Sequence, residues 1–368
     1  MAKARAIAMY LPQYYPIPEN DEVWGKGYTE WTCTAKAKPL FRGHYQPRIP
    51  ADLGFYDLRV PETRIAQAEL AKNAGIEGFM YWHYWFGNGK RLLERPFNEV
   101  LQSGQPNFPF CLGWANHSWK TSTWKALDHF HPENNMIVEQ TYPGDDDIIA
   151  HFNCVLPAFK DKRYITVDEK PLFVVYAPME IPNFKHFSEM WNKMAIQHGL
   201  KGVHFVGLTS CDESKYSEVF NSGYDSVTVG YMWYAETLIQ SKLIKYGLNM
   251  LRARLDDRMV PLAKYDYKKI IKHLSSDLLK REDVFPIVIP QWDRSPRSGR
   301  RAIIYYGSTP ELFKQHVEDI IGKIMDKPMD KRVFFVRSWN EWGEGNYIEP
   351  DQKFGTGYLD ALRDVLLG

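Results

Sequence analysis

Eight short apolar runs, spaced along the chain and separated by helical or loop stretches, limit what this sequence can fold into. They are Ala6–Leu11, Ile76–Tyr84, Phe110–Ala115, Leu172–Tyr176, Val203–Leu208, Ser226–Gly230, Phe285–Pro290 and Val333–Arg337. Each has the length of a buried strand. Between them, Glu62–Ala74, Asp145–Phe159, Phe184–His198, Glu213–Asn221, Pro310–Ile324 and Leu359–Leu367 have helical character, and Gly75 stops the first. Such alternation builds βαβ units on a parallel sheet. Eight units predict a closed (β/α)₈ barrel, an α/β fold, rather than an open sheet. One such barrel takes about 250 residues before insertions. The 368 residues therefore suit one domain over 1–368. The first connection, Tyr10-Leu11-Pro12-Gln13-Tyr14-Tyr15, lacks the glycines that cradle a dinucleotide pyrophosphate.

Two stretches exceed what a barrel needs. Pro16–Asp57 is a long loop rich in Gly, Pro and aromatics. Ala235–Asp283 reads as a helical insertion before the seventh strand. Its Ser241–Lys272 portion holds nine Lys/Arg against three Asp. A solvated insertion explains this. A weak contact with an anionic membrane surface or a glycolipid is the sharper reading. The net charge of +1 gives no general attraction for nucleic acid. Cys33, Cys111, Cys154 and Cys211 have neither zinc nor disulfide spacing. With no signal-peptide core visible, a reduced cytoplasmic setting is expected.

Aromatic residues make up 15% of the chain, with 12 Trp and 22 Tyr. Many must be core. In a barrel of this kind, however, chemistry sits at the C-terminal ends of the strands. Residues at those ends include Tyr10, Gln13 and Tyr14; His83, Tyr84 and Trp85; Asn116, His117 and Trp119; Tyr176; Tyr231; Trp292 and Asp293; and Trp339, Asn340 and Trp342. Flat rings pack on sugar C–H faces, while amides, His and Asp bond hydroxyls. An oligosaccharide or polysaccharide is the expected partner. No metal-ligand spacing surrounds His83 or His117, so neither metal nor cofactor is expected.

The segment Ser338-Trp339-Asn340-Glu341-Trp342-Gly343-Glu344-Gly345 carries two carboxylates three residues apart. Two surface glutamates in a solvated turn would show the same spacing. The flanking Trp and Gly and the strand-end position favour catalysis. On a helical turn, such residues face the same way with Cβ atoms about 5–6 Å apart. That suits the roughly 5–5.5 Å carboxyl separation of a retaining glycosidase better than the wider inverting gap. One turn is poorly placed to put carboxylates on opposite faces of a ring. Neighbouring-group participation follows: one Glu deprotonates a substrate hydroxyl and the other protonates the leaving oxygen.

Several long motifs carry a resemblance. They are Tyr10-Leu11-Pro12-Gln13-Tyr14, Trp24-Gly25-Lys26-Gly27-Tyr28-Thr29-Glu30-Trp31, His44-Tyr45-Gln46-Pro47, Tyr81–Phe86, Arg95-Pro96-Phe97, Trp292-Asp293 and Trp339–Gly345. Across nearly the whole chain the sequence resembles the WbsX family, labelled as lipopolysaccharide-biosynthesis glycosyltransferases. That family is related to glycoside hydrolase family 99, the endo-α-1,2-mannosidases. The resemblance implies a metal-free barrel enzyme that retains configuration through a 1,2-anhydro sugar. It implies Glu341 as base on the 2-hydroxyl and Glu344 as general acid, then base. It adds Glu30, Trp31 and Tyr231 to the substrate contacts. Two segments depart from the family pattern. Asn116-His117-Ser118-Trp119 stands for Asn-Glu-Asn-Trp, and Arg294-Ser295-Pro296-Arg297 for Asn-Thr-Pro-Arg. Mannose is therefore not implied. A glycosyltransferase of surface-polysaccharide synthesis is the alternative enzyme, and a non-catalytic glycan-binding protein is the third reading.

Overall fold

The computed structural model describes residues 2–121, 135–209, 213–240, 242–255 and 259–368. Cys211 and parts of the basic Ser241–Lys272 stretch fall outside them. Eight parallel strands form the centre: β1 (Arg5–Tyr10), β2 (Ile76–Trp85), β3 (Phe110–Trp114), β4 (Lys170–Val175), β5 (His204–Thr209), β6 (Ser226–Val229), β7 (Val284–Val288) and β8 (Val333–Val336). Each pairs with the next, and β8 returns to β1 with Ala6 opposite Phe334. The sheet is thus a closed (β/α)₈ barrel. Its strands are buried on both faces, which is why they read as unbroken apolar runs.

Helices α1 (Pro61–Asn73), α2 (Arg95–Ser103), α3 (Asp145–Phe159), α4 (Phe184–Gln197), α5 (Glu213–Asn221), α6 (Met232–Ile239), α7 (Pro310–Ile324) and α8 (Gly357–Leu367) follow the strands in turn. Local chemistry sets their ends. Thr309 caps α7 by accepting from the Leu312 N–H, and Pro310 takes the first position. Asp145, Asp146 and Asp147 fill the first turn of α3, where acidic charge is favoured. Among the described residues, no helix is long and apolar enough to cross a membrane.

The 235–283 insertion is less purely helical than the sequence suggests. Beyond α6 and the helix Lys242–Arg254 it supplies a strand, Ala263–Asp266, parallel to Ile303–Tyr306. Part of its positive charge already has a partner. Lys245 pairs with Glu236 at 2.8 Å, and Lys264 lies 4.8 Å from the Phe41 ring centroid.

The Pro16–Asp57 loop contains two short helices, Pro18–Trp24 and Glu30–Lys36, and folds over the barrel mouth. Its anchor is Asp293. That carboxylate accepts from Gln46 Nε2 at 2.7 Å and the Ser295 N–H at 3.0 Å, and lies 2.8 Å from His44 Nε2. Arg48 stands 3.6 Å away. Burial alone would raise the Asp293 carboxyl, but His44 and Arg48 outweigh it and hold it down at about 2.

Candidate active site

Past β8 the chain crosses the barrel mouth. Asn340–Glu341 pairs antiparallel with Asn346–Tyr347, and the 3₁₀ turn Trp342–Glu344 forms the tip of this hairpin. Asn340 fixes its base. Its Oδ1 accepts from the Leu11 N–H at 2.8 Å, and its Nδ2 donates to the Leu11 carbonyl at 3.0 Å. Trp342 stacks on Tyr347 at 3.7 Å and donates its indole N–H to Glu349 at 2.7 Å. Tyr56 and Gln67 donate to the same carboxyl, which burial pushes up to about 7.

The tip holds the two glutamates differently. Glu341 Oε2 accepts from Ser338 Oγ at 2.8 Å and from Asn346 Nδ2 at 3.0 Å. Glu344 Oε1 accepts from Arg297 Nη1 at 2.6 Å, with Arg294 Nη2 at 3.3 Å. Burial would raise the Glu344 carboxyl. The Arg294, Arg297 and Arg337 guanidiniums reverse this and hold it down to about 2.

A third carboxyl lies behind them. Glu30 is fully buried, and its Oε1 accepts from Arg297 Nη2 at 2.7 Å, Arg297 Nε at 3.1 Å and the Gly343 N–H at 2.9 Å. Burial pushes Glu30 up to about 7 against the pull of Arg297. Only glycine fits at 343, because an added Cβ would stand 2.2 Å from Glu30 Oε1. At Gly345, φ is +58° and a Cβ would meet Asp293 at 2.9 Å.

Glu341 and Glu344 line one cavity of about 280 Å³. Of the side chains expected to touch substrate, Gln13, Tyr84, His117, Trp119, Tyr176 and Trp292 also line it. The others do not reach its wall. Tyr10 is buried and donates to Gln67 at 2.6 Å. Tyr14 hydrogen-bonds the Asn340 carbonyl, and Trp31 donates to the Tyr56 carbonyl at 2.8 Å. Asn116 ties β3 to β4 through the N–H and C=O of Ala177. Tyr231 meets Ser276 at 2.6 Å, and Trp339 packs 5.1 Å from Phe79. Asn340, Trp342, Asp293 and Glu30 hold the site together from behind, as described.

His83 and Trp85 are corrected by the two-residue period of a strand. Trp82 and Tyr84 of β2 line the cavity, so their neighbours point the other way. His83 Nε2 lies 2.9 Å from His151 of α3, and Trp85 stacks on His151 at 4.8 Å. Burial pulls the His83 imidazole down to about 3, leaving it neutral.

Sequence reasoning misses other wall residues: Trp24, Trp82, Lys120, Arg294, Arg297 and Arg337. Strand alternation was the available signal for Trp82. Arg294 and Arg297 lie in a segment that departs from the family pattern, but their grip on Glu344 needs the fold.

A parallel barrel that brings two glutamates and several rings together at the C-terminal ends of its strands has the plan of a (β/α)₈-barrel enzyme. The chain belongs to the family described as "Glycosyltransferase WbsX", whose model matches residues 6–362. Two curated relatives, each called "Uncharacterized protein WxcX", come from strains of Xanthomonas campestris pv. campestris. Each is 32% identical over 373 residues, covering 99% of this chain and 50% of the relative. The chain thus spans about half the length of the curated relatives it matches. Two solved structures share the fold. A "Glycoside hydrolase-like protein" is 14% identical with a TM-score of 0.62, covering 99% of this chain and 94% of that one. The GH99 endo-alpha-mannosidase from Bacteroides thetaiotaomicron is 13% identical with a TM-score of 0.56, covering 98% and 95%.

Proposed function

We propose that the protein is a carbohydrate-active enzyme, a retaining glycoside hydrolase or transglycosidase that acts on a surface oligosaccharide or polysaccharide through the substrate's own 2-hydroxyl. One observation carries this reading: Glu341 and Glu344 share one short turn and one aromatic-walled cavity, yet have opposite kinds of partner.

In the first step Glu341 takes the proton of the 2-hydroxyl. That oxygen attacks the anomeric carbon as the glycosidic bond breaks, and the leaving oxygen receives its proton from Glu344. In the second step Glu344 takes a proton from water, and the resulting hydroxide adds to the anomeric carbon. The anhydro C1–O2 bond opens, and O2 recovers its proton from Glu341. Two inversions give net retention. Ser338 and Asn346 aim Glu341 by holding one of its oxygens. Glu344 takes up its proton on substrate binding, since the arginines keep it ionised in the free cleft.

The family's description supports a second reading, a glycosyltransferase of surface-polysaccharide synthesis. Capsular and O-antigen oligosaccharides incubated with the protein, with and without sugar nucleotides, separate the readings. Nucleotide-independent cleavage or transfer is expected, falling by about 10²–10⁴-fold in Glu341→Gln and in Glu344→Gln. Full turnover in both variants overturns the mechanism. A strict need for a sugar nucleotide makes the protein a nucleotide-dependent transferase, and binding without turnover makes it a glycan-binding protein.

A further inference from the structure

The 280 Å³ cavity does not end at the glutamates. A second cavity of about 480 Å³ adjoins it, and Tyr176, Trp292, Arg294 and Arg337 line both. Two guanidiniums therefore flank the waist between them. Arg337 follows the last residue of β8 and is half-buried, with its guanidinium carbon 5.1 Å from the centroid of the Trp292 ring. Among the described residues its side chain has no hydrogen bond and no carboxylate within 4 Å, and it acts on Glu344 only at longer range, whereas Arg48, Arg294 and Arg297 at the same end each stand beside a carboxylate. Arg294 reaches Glu344 with Nη2, but its buried Nε–H has no acceptor among the described residues.

The acidic groups nearby do not neutralise this waist. Glu344 already serves Arg294 and Arg297, and Glu30 serves Arg297. On the second cavity's wall, Glu236 is paired with Lys245, and Glu180 sits exposed at the rim. Lys120 adds a further cation on the first cavity's wall. A guanidinium held over a ring face still carries edge N–H donors in one plane. Their matched acceptor is a carboxylate or phosphate, bound by two parallel charge-assisted hydrogen bonds.

We propose that the cleft takes an acidic glycan, whose carboxylate or phosphate substituent seats at the waist between Arg294 and Arg337. This rests on reading the cleft as a carbohydrate site and names the class of glycan.

The test uses matched probes against the full chain. Glucuronate-containing capsular oligosaccharides are compared with the same material after carboxyl reduction. Phosphate-bearing oligosaccharides are compared with their dephosphorylated forms. Binding is followed by tryptophan fluorescence. The acidic member of at least one pair is expected to bind roughly tenfold or more tightly than its neutral partner. Arg337→Gln should bring the ratio of acidic to neutral affinity within that pair close to one, with the melting temperature showing that the fold is kept. The pair that shows the preference identifies the anion. Equal binding within both pairs, no binding in either, or a preference that survives Arg337→Gln overturns the proposal. Cleavage is scored in parallel with Glu341→Gln as control. Acid-selective binding without cleavage would refute the hydrolytic mechanism alone. Glu341-dependent cleavage of neutral members without acid preference would refute the acidic-substrate assignment alone.

Discussion

Arg297 lies 2.6 Å from Glu344 and, through its other nitrogens, also grips fully buried Glu30. One guanidinium therefore balances a carboxylate of the cavity wall and another beneath it. Arg297→Met would leave Glu30 buried without its cation, an arrangement that costs about 3–5 kcal/mol. Glu30→Gln in the same chain should return part of that loss. Denaturant unfolding of the two single variants and the double variant checks this, and strictly additive effects would count against the coupling.

The charge around Glu344 also sets a pH dependence. A general acid works protonated, and kcat/KM reports the pKa values of the free enzyme. With Glu344 held down to about 2, kcat/KM should decline as pH rises through the acidic range. Arg294→Asn removes one of the cations responsible. It should move that declining limb upward by about one pH unit. A pH profile of kcat/KM for both proteins decides the matter, and an unmoved limb would assign the acid elsewhere.

Asp293 gives a stability signature of the opposite kind to a raised carboxyl. Its folded-state value of about 2 lies below the ordinary 3.8. Its contribution is therefore fully present above about pH 4 and is lost as pH falls toward 2. The gap corresponds to about 2 kcal/mol. Asp293→Asn should lose at least that at neutral pH, with the difference from the native chain shrinking between pH 4 and 2. Urea midpoints across this range provide the measurement.

Gly343→Ala places a methyl where Glu30 Oε1 stands 2.2 Å away. The turn must shift, which costs about 1–3 kcal/mol in a packed setting. Because the same turn carries Glu341 and Glu344, turnover should fall further than the melting temperature suggests. Unchanged turnover in a folded variant would detach the turn's geometry from catalysis.

The barrel was legible because its strands are covered on both faces. Buried parallel strands leave continuous apolar runs, and all eight runs became strands with ends displaced by at most two residues. The acidic pair was legible because it sits in a distinctive segment past the last strand. The cleft wall was harder. At a strand end, alternate residues face inward and outward, so Tyr84 meets the cavity and adjacent Trp85 meets His151. Tyr10, Trp31 and Trp339 carry the same chemistry as wall residues but lie beneath the surface, and ring type alone does not separate the two. Arg297 was least legible, because its partners Glu30 and Glu344 lie 267 and 47 residues away.

The Gly343 N–H meets Glu30 across 313 residues, and Asn340 meets Leu11 across 329. Both pairings join the N-terminal part of the chain to the segment that follows β8. The cleft comes into being in the same event that joins β8 to β1, so an unfinished barrel has no weaker version of it. Ligand binding at this site would thus report ring closure itself, an all-or-none signal in a refolding experiment where helix content rises gradually.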